Sequence, residues 1–367
     1  MNKTRYRIVF NKARGCLMAV AETAIAHGKG ASGATTCGAT HPGQLRLSVL
    51  GLVCKWLAGT ALVCLPLAWL APSQAQTVAT RIVADPTAPS AQRPTVLTTS
   101  NGVVQVDIRT PSAAGVSRNT YSQFDVGAAG AVLNNSRTPV QTQQGGWVQG
   151  NPWLATGSAR VILNEVNSSN PSYLQGYVEV AGQRAQVIIA NPSGIAINGG
   201  GFINASTATL TTGTPIMNAG ALESFRVQGG QISIEGQGLD ARSTDYTAIL
   251  SRALQVNAGI WAQQLQVVTG ANDIAAASVS ADTAVQSTAL SNTASAPSYA
   301  LDVAALGGMY AGKIHLIGTE VGVGVRNAGL LQASSGPLTL SQQGWLSNSG
   351  TLQASGGDVI VQTQGTM

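Results

Sequence analysis

The chain has 367 residues, 44% of them hydrophobic and 10% charged, with a formal net charge of +5. That length holds one large domain or two ordinary ones, and the charge sits at one end: residues 1–75 carry eight basic side chains against one acid, residues 76–367 carry 12 against 14. The basic character therefore belongs to a leader, and the near-neutral body gives no reason to expect a nucleic-acid partner.

The leader holds all four cysteines, Cys16, Cys37, Cys54 and Cys64. The body has none, which excludes a disulfide framework and Cys-ligated metal there. It also suits a chain that must pass an oxidising compartment without premature crosslinks. Lys55 precedes an apolar run from Trp56 to Leu70, followed by Ala71-Pro72-Ser73-Gln74-Ala75. A positive flank, a short apolar core and a small-x-small end make a cleavable signal for the Sec machinery, with cleavage between Ala75 and Gln76. The run is too short for a good membrane span. Upstream, Met1-Asn2-Lys3, Tyr6-Arg7, Phe10-Asn11 and Ala19-Val20-Ala21-Glu22 resemble the extended signal-peptide region of very large Gram-negative exoproteins. The leader thus divides into an extended region at 1–24 and, at 25–75, an insert plus the Sec-type signal.

After Gln76 comes a polar lead-in whose Pro86, Pro89 and Pro94 bar it from a central strand. From Val96 onward short β-branched runs alternate with Gly, Asn, Ser and Thr: Val103–Ile108, Ala159–Leu163, Gln186–Ile189, Ile232–Ile234 and Lys313–Ile317. Runs of that length bounded by turn formers predict an all-β fold. The Ala/Ser-rich stretch from Ala275 to Ala296 could hold a helix or an exposed loop.

Near the end, Asn327-Ala328-Gly329-Leu330-Leu331-Gln332-Ala333-Ser334 recurs 21 residues later as Asn348-Ser349-Gly350-Thr351-Leu352-Gln353-Ala354-Ser355, with a weaker echo at Asn257-Ala258-Gly259-Ile260. A repeat near 20 residues means a solenoid, because one coil cannot bury its own apolar face whereas stacked coils share a core. At that length the part after Val96 makes on the order of a dozen coils, roughly 60 Å of stack at the strand spacing. An open stack end templates aggregation, so the N-terminal region must supply a cap. The last residues, Gly365-Thr366-Met367, stop within the repeat rhythm, which reads as an unfinished shaft.

Two Asn-Pro turns stand in the most informative stretch. Asn151-Pro152-Trp153-Leu154 precedes Val161-Ile162-Leu163-Asn164-Glu165-Val166, and Asn191-Pro192-Ser193-Gly194-Ile195 precedes Gly199-Gly200-Gly201-Phe202-Ile203-Asn204. With Gln123-Phe124-Asp125-Val126, Leu133-Asn134-Asn135-Ser136, Leu306–Ile314 and Gly322–Asn327, their order resembles the secretion domain of two-partner exoproteins of the filamentous haemagglutinin, haemolysin and contact-dependent inhibition types. Trp153 and Ser193 each replace an asparagine of the family pattern. The resemblance implies a right-handed parallel β-helix with an N-terminal β cap behind a cleavable extended signal peptide. It also implies a secretion domain at 76–300 and the first shaft repeats at 301–367. By the same resemblance the chain is the export domain of a large secreted adhesin-like exoprotein or toxin carrier, reaching the surface of a Gram-negative cell through the periplasm. Its partner would be an outer-membrane transporter with periplasmic modules; the complete protein would meet a host or neighbouring-cell surface. Both turns would serve secretion and transporter recognition. Asn before Pro also builds a rigid corner, and the two roles are compatible. Trp153 on a turn suits an exposed anchor, whereas Gly194 and Gly199–Gly201 suit corner packing.

Catalysis fails on inventory. The body has one histidine, His315, and no cysteine, so a nucleophilic triad has little to draw on. Metal-ligand spacing is missing, the glycine run Gly199–Gly201 lacks the Lys-Ser/Thr of a phosphate loop and reads as a turn, and no cofactor is implied. Glu165 and Glu179 can be drawn as the acid pair of a β-helical carbohydrate-active enzyme, one alternative reading. A short autonomous surface protein is the other.

Overall fold

The computed structural model describes residues 6–11, 16–21, 79–281, 283–291 and 294–365. The whole of 25–75, including the apolar run at 56–70, and the Ala75/Gln76 junction lie outside these residues. The chain separates into two compact units, residues 1–71 and 72–367. In the first, Tyr6–Asn11 pairs antiparallel with Cys16–Ala21, from Tyr6 opposite Ala21 to Asn11 opposite Cys16.

The second unit is a parallel β-helix. Three sheets run along it, of ten, seven and ten strands, here called I, II and III. A first coil, Val116–Asp125 and Ala131–Asn135, meets sheet II only through a bridge from Val126 to Leu174; the chain then visits all three sheets in order seven times, from Val161–Val166 to Thr351–Ala354, and opens a ninth turn with Val359–Thr363. Every contact between successive coils is parallel. Strand Tyr299–Val303 spans the junction at 300/301, so the coils run on across it.

Inward positions form columns. In sheet I, Ile189, Leu210, Ile249, Val267, Leu316 and Leu340 stack in register. In sheet II the column is Ile195, Ile232, Leu254, Leu301, Val325 and Leu346. These side chains are at most 6% exposed and form one continuous core. Burying each contributes about 2 kcal/mol relative to water. At the capped end the sheet I column switches to Asn164 and Asn119, both fully buried. Asn164 accepts from the Tyr121 hydroxyl at 2.9 Å, and Asn119 accepts from the Arg109 amide at 2.8 Å.

Outward positions of sheet I are apolar in several coils and need their own cover. Leu163, Ile188, Ala248 and Val268 are buried beneath Phe225, Val227 and Ile274. Those three belong to a four-stranded antiparallel sheet, Thr214–Asn218, Ala221–Val227, Asn272–Ala275 and Ser287–Ala289, that leaves the helix at its sheet I to sheet II corner. The Ala/Ser-rich stretch contributes a single 3-10 turn, Ala276–Ser278, and one of these strands, not an α-helix. Excursions at 136–160, 212–230 and 270–298 absorb the residues that a uniform 20-residue repeat would have spent on further coils. The stack is therefore eight coils and about 38 Å long at the strand spacing, shorter than the dozen coils that the sequence implies.

The cap is antiparallel. Arg81–Ala84 pairs against Val116–Asp125 at the end of sheet I, and Thr95–Thr98 against Val104–Asp107 at the end of sheet III. Both are four residues long, and Pro86, Pro89 and Pro94 lie between them around a 3-10 turn at Ser90–Gln92. Short edges flanked by proline and arginine resist further pairing.

Candidate functional site

Both Asn-Pro turns are built the same way. Asn151 is 4% exposed; its Nδ2 donates to the carbonyls of Ile108 at 2.9 Å and Asn134 at 2.8 Å, and its Oδ1 accepts from the Trp153 amide at 3.0 Å. Asn191 is fully buried; its Nδ2 donates to the Asn170 carbonyl at 3.0 Å and the Ser172 hydroxyl at 2.9 Å, and its Oδ1 accepts from the Ser193 amide at 2.9 Å. In each case the side chain closes its own turn and satisfies groups that the corner would leave unpaired. The turns occupy different corners. The first joins the cap to the sheet III side of the first coil; the second sits between sheets I and II, where its amide donates to the Thr211 carbonyl at 2.9 Å.

The two turns differ in what they show to solvent. Pro152 opens a 3-10 turn through Leu154, which is 1% exposed and anchors the turn in the core. Trp153 remains 36% exposed. Its indole N–H donates to the Thr95 hydroxyl at 3.1 Å, its carbonyl accepts from Thr110 at 2.7 Å, and the Arg109 guanidinium lies 3.7 Å from its ring centroid. The residue that sequence reasoning reads as an exposed anchor is thus a ring laid on the cap, with an arginine held over it. Burial, and after it the charge of Arg93, lowers the Arg109 pKa. The second turn offers Pro192 and Ser193, whose hydroxyl donates to the Ser168 carbonyl at 2.9 Å. Gly194, at φ +111°, takes a conformation that L side chains rarely adopt, and Ile195 is buried. Thr95 and Arg109 were not legible as partners of Trp153, because they stand 58 and 44 positions away with no pattern linking them.

Gly199, at φ +89°, is the corner that the glycine run suggests. Gly200 and Gly201 are not turn residues; they belong to strand Gly200–Ile203. A Cβ on Gly201 would stand 2.5 Å from the Tyr177 ring, so that position requires close approach rather than a bend.

Glu165 and Glu179 do not form a pair. Glu165, in sheet I, takes Arg118 Nε and Nη2 at 2.8 Å each. Glu179, in sheet III, accepts the backbone amides of Gln143 at 2.6 Å and Gln144 at 2.9 Å and so grips the hairpin Val140–Thr142/Gly146–Val148. His315 is half-buried on the outer face of sheet I, beside Tyr246, Gln266 and Lys313.

Comparison with known proteins places this architecture. The TPS secretion domain matches residues 80–348, and the Extended Signal Peptide of Type V secretion system matches residues 1–51. The chain belongs to the TPS secretion domain family. It is 51% identical over 351 residues to Toxin CdiA of Yersinia pestis and 44% identical over 349 residues to tRNA nuclease CdiA-2 of Burkholderia pseudomallei. Those alignments cover 95% and 94% of this chain but 10% of each relative, so the chain spans about a tenth of their length. The crystal structure of a filamentous hemagglutinin secretion domain superposes with a TM-score of 0.66 at 33% identity, covering 78% of this chain and 96% of that one. The β-helix with its cap is therefore a TPS secretion domain, the N-terminal export domain of a secreted exoprotein. Behind an extended signal peptide, it travels through the periplasm to the surface of a Gram-negative cell. A TPS domain implies an outer-membrane transporter as its counterpart, and the signal peptide implies the Sec route.

Proposed function

We propose that this chain is the export end of a contact-dependent inhibition exoprotein. Its TPS domain engages periplasmic modules of the transporter through the Asn151–Leu154 turn. The two relatives are named a toxin and a tRNA nuclease, and the complete protein would deliver a toxic part to a neighbouring cell. The observation behind the recognition role is the partly exposed Trp153, fixed in place by Thr95 and Arg109 when the rest of the turn is buried or spent on the corner. Aromatic anchors held rigid at a rim are the side chains that interfaces use most. In this reading Asn151 builds the turn and Trp153 presents it, whereas Asn191, Pro192, Ser193, Gly194 and Ile195 are structural. On the same reading the chain is not an enzyme, and Glu165 and Glu179 serve structure, committed to Arg118 and to the hairpin backbone.

Secretion of an epitope-tagged chain tests this, with and without a cognate two-partner transporter, comparing wild type, Trp153→Ala and Ser193→Ala. Tagged protein should reach the medium only with the transporter. Trp153→Ala should accumulate in the periplasm, and Ser193→Ala should leave normally. Normal export of Trp153→Ala would remove the recognition role from this turn. Wild-type chain retained in the periplasm as a protease-resistant solenoid despite the transporter would overturn the whole reading.

A further inference from the structure

The arginines of the β-helix unit divide by position. Every arginine after Arg160, and Arg118 before it, holds a carboxylate at 2.7–3.1 Å. The remaining five, Arg81, Arg93, Arg109, Arg137 and Arg160, have no carboxylate at ion-pair distance among the described residues. The acids of the same segment are inside. Asp85, Asp107 and Asp125 are 5–7% exposed, and they accept from Thr87, from Gln105 and Asn134, and from Gln123 and the Tyr173 amide. Burial has thus sorted charge, leaving cations outside and anions within.

Four of the five surround the Trp153 turn. Arg109 lies on the indole, and Arg93 is near enough for its charge to act on Arg109. Arg137 Nη2 donates to the Ala155 carbonyl at 3.2 Å, one residue past the turn. Arg160 Nη2 donates to the Ala114 carbonyl at 2.6 Å and walls a surface groove of about 490 Å³ between the 110–115 and 156–160 loops. The groove abuts the turn through Thr110, which donates to the Trp153 carbonyl. Arg93, Arg137 and Arg160 are exposed, and their guanidinium groups donate to backbone carbonyls, which leaves their charge uncompensated.

We propose that this arginine-ringed face around Trp153 docks an acidic protein surface, and that the surface belongs to the transporter's periplasmic modules. The inference rests on the recognition reading above and adds the chemistry of the partner. An unpaired cationic face is complementary to carboxylates, and such complementarity sets encounter rate and register. A protein is favoured over an anionic bilayer by the side chains used. Residues 76–160 contain no lysine, and guanidinium forks suit planar, bidentate carboxylates. One fork is also stacked on a tryptophan, and both residue types are enriched at protein hot spots. Residues 79–160 hold six arginines against three acids in linear sequence, so the bias exists before folding as well.

The test titrates the mature chain against the isolated periplasmic modules of its cognate transporter at increasing NaCl. A patch variant, R93Q/R137Q/R160Q, is compared with a control of equal charge change at paired arginines, R184Q/R226Q/R326Q. Thermal unfolding verifies that both are folded. Phosphatidylglycerol-containing vesicles form the second arm. The patch variant should bind the modules roughly tenfold more weakly, with a flatter salt dependence, while the control stays near wild type. Two triple variants that behave alike, beside a wild type that binds, overturn the docking surface alone. Wild type that ignores the modules and binds the vesicles through the same arginines overturns it in favour of a lipid surface. Wild type that ignores both, and is not exported, removes the recognition reading with it.

Discussion

Asn327 donates its side-chain amide to Asn348 Oδ1 at 2.7 Å, and the two stand 21 residues apart in sequence and side by side in adjacent coils. The sequence repeat and the structural register are the same quantity here. Asn327 is fully buried and also accepts from the Gly329 amide at 3.2 Å, so it fixes both its own corner and the next rung. Asn327→Ala should cost about 1–2 kcal/mol by urea unfolding, the range for a lost buried hydrogen-bonding group. Asn327→Val should cost less, because Val256 and Val303 occupy the same column in earlier coils. Equal costs would show that filling the column is irrelevant and that the hydrogen bonds lost in both variants carry the whole effect.

The Asn151 turn separates architecture from display. Asn151→Ala strips the donor from two buried carbonyls, Ile108 and Asn134, and should lower stability by about 2 kcal/mol. Trp153→Phe keeps a ring beneath Arg109 and gives up only the bond to Thr95, a loss of about 1 kcal/mol or less. Urea denaturation of the purified chain distinguishes them. Similar midpoints for the two variants would mean that Asn151 is not the keystone described above.

Arg252 and Glu320 pair at 2.8 Å with side chains only 8% and 17% exposed, and Arg252 also donates to the Ala294 carbonyl at 3.1 Å. Glu320→Ala leaves a cation stranded and should destabilise by about 3 kcal/mol. Replacing both partners with apolar residues should recover most of that loss. Limited proteolysis gives the second readout: cleavage within 283–298 should accelerate in the single variant, since the arginine tethers that loop.

His315 is the one histidine after residue 41, so it alone should govern the pH dependence of stability near neutrality. Burial, and then the Lys313 charge, lowers its folded pKa below 6.5. The unfolded chain therefore binds more protons between the two pKa values, and stability must fall as pH drops from 7.5 to 5.5. Chemical denaturation at the two pH values should show this decline in wild type and its absence in His315→Gln. An undiminished decline in the variant would place the titrating group elsewhere.

Much of this architecture is legible because its determinants are local. Val/Ile runs bounded by Gly and Asn mark strands wherever they occur, and the 21-residue spacing gives the rung pairing at 327–348 directly. The need for a cap follows from the open end of any stack. The echo at Asn257 shows the limit of such reading. Gly259 pairs with Gly308, and Gly308 with Leu330 rather than Gly329, so the echo sits one residue out of register. The antiparallel cover was not legible. Its strand 221–227 pairs with 272–275 across two intervening turns of the helix, and only the surplus of apolar outward positions on sheet I asks for it. At the site, the turn could be read from Asn-Pro, but the arginine ring could not. It depends on which acids fold inward, a tertiary property that counting charges along the chain does not reveal.

The antiparallel cap also gives the molecule an arrow of time. Strands 81–84 and 95–98 close the two long sheets at their N-terminal end, so a further coil can be laid down at the opposite face alone. Each coil finds a finished template on one side and nothing on the other. A chain threading outward would behave like a ratchet, in which every added rung makes retreat harder and two molecules cannot fuse at their leading tips.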